Sequence, residues 1–234
     1  MKIHPAAQGT VDWLLARSAI PTASEFGQLV TPKFKVRTGD MPKTYLYEKL
    51  AEWWQGGPLP SFQSANMEFG NILEERAIPW YELQHGVTIQ RVGLCLTDDG
   101  KVGCSPDGLI GMDGGIEFKC PAAHTQVRRL MEGELPDEYA AQVHGSMYVT
   151  GRPWWKFVSY ASHFPKYVLH VERDEVIQEA IAEAIDAFLT AFEAGKARMI
   201  EINGGPPERK PLMNLTPAPE PGTWNNADPN DQLT

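Results

Sequence analysis

Residues 104 to 121 read Cys-Ser-Pro-Asp-Gly-Leu-Ile-Gly-Met-Asp-Gly-Gly-Ile-Glu-Phe-Lys-Cys-Pro, with Asp107 shortly before a Gly114-Gly115 turn and Glu117, Phe118 and Lys119 just after it. A strand over 116 to 119 has a side-chain period of two, so Ile116 and Phe118 point to one face and Glu117 and Lys119 to the other. Two acids and a lysine then share one surface. Mg²⁺ takes oxygen ligands and keeps several waters, so one or two carboxylates and a backbone carbonyl suffice to hold it against a phosphate. A lysine adds a compact positive charge where a metal-bound water attacks. The same residues also suit a solvated hairpin face with a surface ion pair, which contributes little stability. The surrounding chain has to separate the two.

At 234 residues the chain is long enough for one substantial core. No run of eighteen apolar residues appears and the N-terminus has no basic-then-apolar signal pattern, so a soluble protein kept in the cytoplasm is expected. Three cysteines, Cys95, Cys104 and Cys120, make an odd number without a CxxC pair, which argues against a disulfide framework and fits a reducing compartment. The net charge of −9 is the wrong sign for a protein that coats nucleic acid. It leaves room for an enzyme that concentrates acids at its site and basic residues along a substrate path. Basic residues cluster at Lys33, Lys35, Arg37 and Lys43, and again at Arg128-Arg129.

Thr10 to Leu15 and Ala23 to Val30 read as two short helical pieces around Ile20-Pro21, with Ser24 at the start of the second. A helix N-terminus there, with Arg17 nearby, suits an anion. Tyr45, Leu46, Leu50, Trp53 and Trp54 mark a helix over 43 to 54. A longer one from about 64 to 85 carries Phe69, Ile72, Leu73, Ala77, Trp80 and Tyr81 as its stripe, with Gly86 as C-cap. Glu74 lies off that stripe; Glu75 and Glu82 are alternatives for solvent or cleft.

Strands are expected over Val87 to Leu96, Val102 to Ser105, Leu109 to Gly111 and Ile116 to Cys120. Next come a helix from 136 or 137 to 149 that buries Tyr139, Val143 and Met147 and turns Gln142 elsewhere, and strands over 153 to 160 and 167 to 172. An amphipathic helix from Asp174 to Ala194 closes at Gly195. The expected organisation is one domain over residues 1–203 and a flexible Pro/Gly-rich tail over 204–234, too polar to offset its ordering entropy.

Ser105-Pro-Asp-Gly-Leu109, Gly115-Ile-Glu-Phe-Lys-Cys-Pro121, Pro136-Asp-Glu-Tyr-Ala-Ala-Gln-Val-His-Gly-Ser-Met-Tyr-Val-Thr150 and Glu172-Arg-Asp-Glu175 follow one another in one family's order and spacing. So do Arg17 to Glu25, Gly70-Asn-Ile-Leu-Glu74 and Tyr81-Glu82 upstream. Together, over about residues 12 to 195, they resemble the YqaJ-type viral recombinase family, lambda-exonuclease-like members of the PD-(D/E)xK nucleases. The resemblance implies an α/β fold, a central mixed β-sheet flanked by helices around a restriction-endonuclease-like core. It implies Glu74, Asp107, Glu117 and the Phe118 carbonyl as ligands of two Mg²⁺, with Mn²⁺ as a substitute. Lys119 matches the catalytic lysine and Gln142 the glutamine beside the attacked phosphate. Asp98 or Asp99 falls near a further family acid, with a one-residue ambiguity. Arg17 and Ser24 match the 5′-phosphate pair, and Arg37 matches a third member after an insertion.

The implied activity is 5′→3′ degradation of one strand from double-stranded DNA ends, leaving 3′ overhangs for phage-type recombination by strand annealing. A ring-shaped homotrimer, a single-strand annealing protein and a bacterial host cytoplasm are implied with it, with no membrane. Alternatives are a restriction-type or repair endonuclease on the same core, or a non-catalytic DNA-end-binding module. A zinc site of Cys104, Cys120 and His124 has a spacing that matches no common finger or ribbon.

Overall fold

In the computed structural model the chain runs β1 (Lys2–His4), α1 (Val11–Arg17), a 3₁₀ segment (Ala23–Gln28), α2 (Asp40–Gln55), α3 (Ala65–His85), β2 (Ile89–Gln90), β3 (Leu94–Leu96), β4 (Gly103–Cys104), β5 (Gly108–Ile110), β6 (Gly114–Lys119), α4 (Ala123–Glu132), α5 (Asp137–Thr150), β7 (Trp154–Ser159), β8 (Tyr167–Glu172) and α6 (Glu175–Asn203). The structure describes residues 1–60 and 65–208, and for residues 65–72 and Glu74 the backbone alone. Phe69 and Ile72 of the expected stripe, and tail residues 209–234, therefore lie outside what is described.

Five strands make a mixed sheet in the order β2-β5-β6-β7-β8. β6 pairs antiparallel with β5 and parallel with β7, in register from Gly114↔Trp154 to Lys119↔Ser159. Parallel neighbours require a long crossover. Here α4 and α5 supply it, and α5 with α6 covers one sheet face. On that face Trp155, Phe157 and Val171 pack with Val143, Met147, Ile181, Ile185 and Phe188. On the other, Ile116, Phe118 and Val158 meet Ala77, Ile78 and Tyr81 of α3. The α/β sheet flanked by helices is as expected. β1, β3 and β4 form a second, antiparallel sheet.

Several local expectations are corrected. The run 87–96 is two strands in different sheets, broken at Gly93, where a Cβ would lie 1.9 Å from the Ala6 carbonyl oxygen of the crossing N-terminal segment. Gly114 and Gly115 belong to β6 and not to the turn before it. A Cβ on Gly115 would come within 2.2 Å of the Trp155 ring, so the glycines make room for the tryptophans of β7. Gly195 does not end α6: it lets α2 approach, since a Cβ there would lie 2.6 Å from a Leu50 methyl. The helix continues to Asn203 and stops at Gly204, whose φ of +72° suits glycine. The second helical piece near the N-terminus is 3₁₀. Helix α4 and strand β1 went unpredicted. α4 buries Gln126 and Arg129, polar residues that hide its inward face from a hydrophobicity reading.

Gly115→Ala is expected to lower stability by about 1–3 kcal/mol, because the fully buried Trp155 cannot swing away. A urea midpoint equal to wild type at the same slope would show that the ring has room.

Candidate active site

The alternation in β6 sends Ile116 and Phe118 beneath α3 and turns Glu117 and Lys119 toward α5. Glu117 is 3% exposed. Its Oε1 accepts from Lys119 Nζ at 2.7 Å and from Gln142 Nε2 at 2.5 Å. Its Oε2 is buried with no hydrogen-bond partner among the described residues. Such an oxygen is costly to leave bare. Gln142 reaches the strand because the α5 stripe through Val143 and Met147 faces the core.

Asp107, 6% exposed at the entry to β5, accepts from the Phe118 N–H through Oδ2. In a strand a residue's N–H and C=O leave by the same edge. The Phe118 carbonyl therefore opens on the Asp107 side, and the next carbonyl, that of Lys119, turns the other way and accepts from Tyr160 N. Burial disfavours the Lys119 ammonium, but Glu117 and Asp107 outweigh it and hold its pKa above the ordinary lysine value. The Tyr139 ring centroid lies 5.0 Å from Lys119 Nζ and 5.0 Å from the Arg129 guanidinium. Tyr139 read only as core in the sequence. Its place three residues before Gln142, one turn away on the same helix face, was the available signal.

Arg129 is not a surface cation. It is 2% exposed, and its NH1 donates to Ser159 Oγ, which donates to Gln126 Oε1 at 2.6 Å. Ser159 is the register partner of Lys119, so this buried network braces the end of β6. Arg128 is half-exposed, beside Glu132 and Glu138.

A second group forms at the end of α1. Arg17 NH2 donates to Thr22 Oγ1 at 3.2 Å and Ser24 Oγ at 3.4 Å. Burial lowers its pKa, opposed by Glu25, Tyr45 and Glu52. The guanidinium lies 4.6 Å from the Trp13 ring centroid, and Trp13 Nε1 donates to Gly93 O and Ser105 Oγ. Trp13 was not singled out in the sequence, although its i, i+4 spacing to Arg17 was legible. Arg37 is engaged elsewhere: its Nε donates to the Gly27 and Val30 carbonyls, and no described contact joins it to Arg17 or Ser24.

Glu74 lies on α3, but its side chain is outside the described residues. Glu75 is exposed, and Glu82 accepts from Ile89 N. Asp98 pairs with the N-terminal amine, and Asp99 accepts from Thr97 and Lys101 in its own turn, so neither has a described contact with Glu117 or Lys119. Among the described residues no group of three or more His, Cys, Asp and Glu is arranged to hold a metal. Cys104, of the zinc alternative, faces Cys95 across β3 and β4.

A mixed sheet flanked by helices, with an acid-x-lysine pair on its central strand, is the core of the PD-(D/E)xK nuclease class. The YqaJ-like viral recombinase domain model matches residues 12–153, and the chain belongs to that family. The crystal structure of an alkaline exonuclease, LHK-Exo from Laribacter hongkongensis, is similar at 30% identity and a TM-score of 0.75, covering 83% of this chain and 98% of that one. The same protein in complex with dAMP gives 30% identity and a TM-score of 0.76 over the same shares. A phage related exonuclease from Haemophilus somnus shares the fold, with 14% identity and a TM-score of 0.58 over 77% of this chain and 96% of that one. No curated protein sequence matches.

Arg129→Ala is expected to cost about 2–4 kcal/mol by leaving the buried Ser159 Oγ without its donor and a void where the guanidinium packed on Tyr139 and Phe157. Arg128→Ala should stay within about 0.5 kcal/mol of wild type. Equal melting shifts for the two variants would contradict the buried brace.

Proposed function

We propose that the protein is a Mg²⁺-dependent 5′→3′ exonuclease acting on double-stranded DNA ends and leaving 3′ single-stranded overhangs for recombination by strand annealing, with its catalytic unit in residues 1–203. The enzyme class is that of the family, a hydrolytic DNA exonuclease. One observation carries the residue-level reading. Glu117 has one oxygen fixed by Lys119 and Gln142 and the other buried without a partner, as a cation ligand requires.

Asp107, Glu117 and the Phe118 carbonyl, with Glu74, would hold two Mg²⁺, for which Mn²⁺ can substitute. Bound there, the ions supply Lewis-acid activation of water and stabilisation of the leaving oxygen. The protein's own residues do the rest. Lys119, charged well into the alkaline range, presents positive charge to the attacked phosphate. Gln142 steadies the Glu117 carboxylate, and Asp107 ties β5 to β6 through the Phe118 N–H. A mononucleotide complex of the similar alkaline exonuclease accords with release of nucleotides one at a time.

Arg17 and Ser24 bind the terminal 5′ phosphate and thereby set polarity. A terminal phosphate carries more charge than an internal diester, and a guanidinium fork favours it. Arg37, matched to that pocket by resemblance, contributes by holding the loop over residues 27–37. The family resemblance also supports a homotrimeric ring and a single-strand annealing partner. The described helices include none long and apolar enough to cross a membrane, which suits work on DNA in a host cytoplasm.

Purified protein given end-labelled linear duplex and closed circles, with and without Mg²⁺, is expected to release 5′ mononucleotides from the linear DNA only when Mg²⁺ is present. Cutting of closed circles would identify a restriction-type endonuclease instead, and DNA binding without turnover a non-catalytic module. Lys119→Ala and Asp107→Ala should each lose on the order of 10²-fold or more in rate while keeping their circular dichroism spectra. Near-normal rates in either folded variant would dismiss the assigned site. Wild type should digest 5′-phosphorylated ends faster than 5′-hydroxyl ends, and Arg17→Ala should bring the first rate down toward the second. Equal wild-type rates on the two ends would remove the end pocket from the mechanism.

A further inference from the structure

Trp13 contacts Arg17 directly and reaches, through its N–H, the segment that leads to Asp107. Helix α1 puts Trp13 and Arg17 on one face, four residues apart, and the guanidinium lies 4.6 Å from the indole centroid. A guanidinium over an indole ring is favoured electrostatically and loses rotamer freedom it would otherwise keep. With that plane set, NH2 reaches the Thr22 and Ser24 hydroxyls at 3.2 and 3.4 Å. These two hydrogen-bond partners are neutral, and the carboxylates of Glu25 and Glu52 act on the cation through space. At its other end the indole N–H is shared between Gly93 O at 2.8 Å and Ser105 Oγ at 3.0 Å. Ser105 stands two residues before Asp107 on the segment that enters β5. The indole is buried, and its N–H acts beside a backbone tie on the pocket side, where Gly103 N–H donates to Pro21 O and Thr22 bridges to Gly103.

We propose that Trp13 is the positioning residue that sets end selectivity: its ring face orients Arg17 toward a terminal phosphate, and its N–H fixes the spacing between that pocket and the Asp107 segment. The inference rests on the reading of Arg17 and Ser24 as the 5′-phosphate pocket. Trp13 itself touches no reacting atom. Its two contacts, ring face and N–H, are chemically separable. The ring contact governs which end is preferred, and the N–H contact governs how well a bound end is presented to the acids, whichever end it is.

The test uses full-length protein and two variants, with initial rates measured over a range of DNA concentrations on 5′-phosphorylated and 5′-hydroxyl linear duplexes. Trp13→Phe keeps a ring face and removes the donor. It should retain the wild-type phosphate-to-hydroxyl ratio of kcat/KM and lower kcat on both ends by about 2- to 10-fold, the loss of one hydrogen bond. Trp13→Leu removes both contacts and should also reduce that ratio by about 3- to 30-fold, toward that of Arg17→Ala. The ratio is taken within one preparation, so an unfolded fraction lowers both rates and cancels. A Trp13→Leu ratio equal to wild type, with wild type preferring phosphate, overturns the ring's role and leaves the pocket standing. If Trp13→Leu does not fold, Trp13→Phe still decides: unchanged kcat on both ends, or a collapsed ratio, overturns the proposal. Absence of any preference in wild type overturns the pocket reading, and this inference with it.

Discussion

The parallel pairing of β6 with β7 is the constraint on which the site depends. Antiparallel strands could have been joined by a short turn, but a parallel neighbour obliges the chain to leave the end of β6, cross the sheet and return. The crossover consists of α4 and α5, so the residues that follow Lys119 in sequence are laid over the face on which Lys119 and Glu117 stand. Gln142 reaches Glu117, Tyr139 lies over Lys119, and Arg129 bonds Ser159, the register partner of Lys119. A chain that turned back antiparallel after Lys119 would have the same motif without the layer above it.

That layer also explains how the sheet tolerates buried charge. Removing a carboxylate and an ammonium from water costs several kcal/mol per ion, and their attraction offsets it only when the remaining polar atoms are bonded. Glu117 meets that condition at one oxygen and fails it at the other, and among the buried side-chain atoms without a described hydrogen-bond partner Oε2 is the carboxylate oxygen. A fold selected for stability alone would replace such a group with a hydrophobic one of similar volume. On the proposed reading the bare oxygen is a functional feature rather than a structural one. Arg129 bonds Ser159 through NH1 and lies beside Glu138 through NH2, while its Nε is buried without a described partner.

Legibility in the sequence followed the range of the interactions. The period-two face of Glu117 and Lys119, the α5 stripe, and the Asp174 cap, whose Oδ1 accepts from Val176 and Ile177, are local patterns and were readable. Gly93, Gly115 and Gly195 give no local sign of their role, because its reason lies in Ala6, Trp155 and Leu50, partners that no local window contains. α4 was missed because Gln126 and Arg129 are buried by long-range bonds to Ser159 and Pro165 that make polar residues act as core. Of the candidate site, the acid-x-lysine strand was legible from its own residues and Gln142 only through family likeness. The bridge made by Trp13 depends on a contact across ninety-two positions of sequence and was not legible.

The net charge of −9 now has a spatial account. Several arginines are committed to the fold's own carbonyls: Arg152 NH1 to Ile110, Gly111 and Gly114, Arg37 Nε to Gly27 and Val30, and Arg173 NH1 to Met147. Glu179, Glu183 and Asp186 are exposed along α6, while Glu175, Glu193 and Glu201 pair with Arg173, Lys196 and Arg198. A duplex laid on that helix would meet a repulsive field, so approach is favoured from the side of α1 and the end of β6, where Arg17 and Lys119 stand. Affinity for DNA in general comes from displacing counterions with many basic contacts. Exposed basic residues, Lys33, Lys35, Lys43 and Arg128 among them, lie outside that acidic helix. On the proposed reading, discrimination between an end and the rest of the molecule falls to one guanidinium and the extra charge of one terminal phosphate.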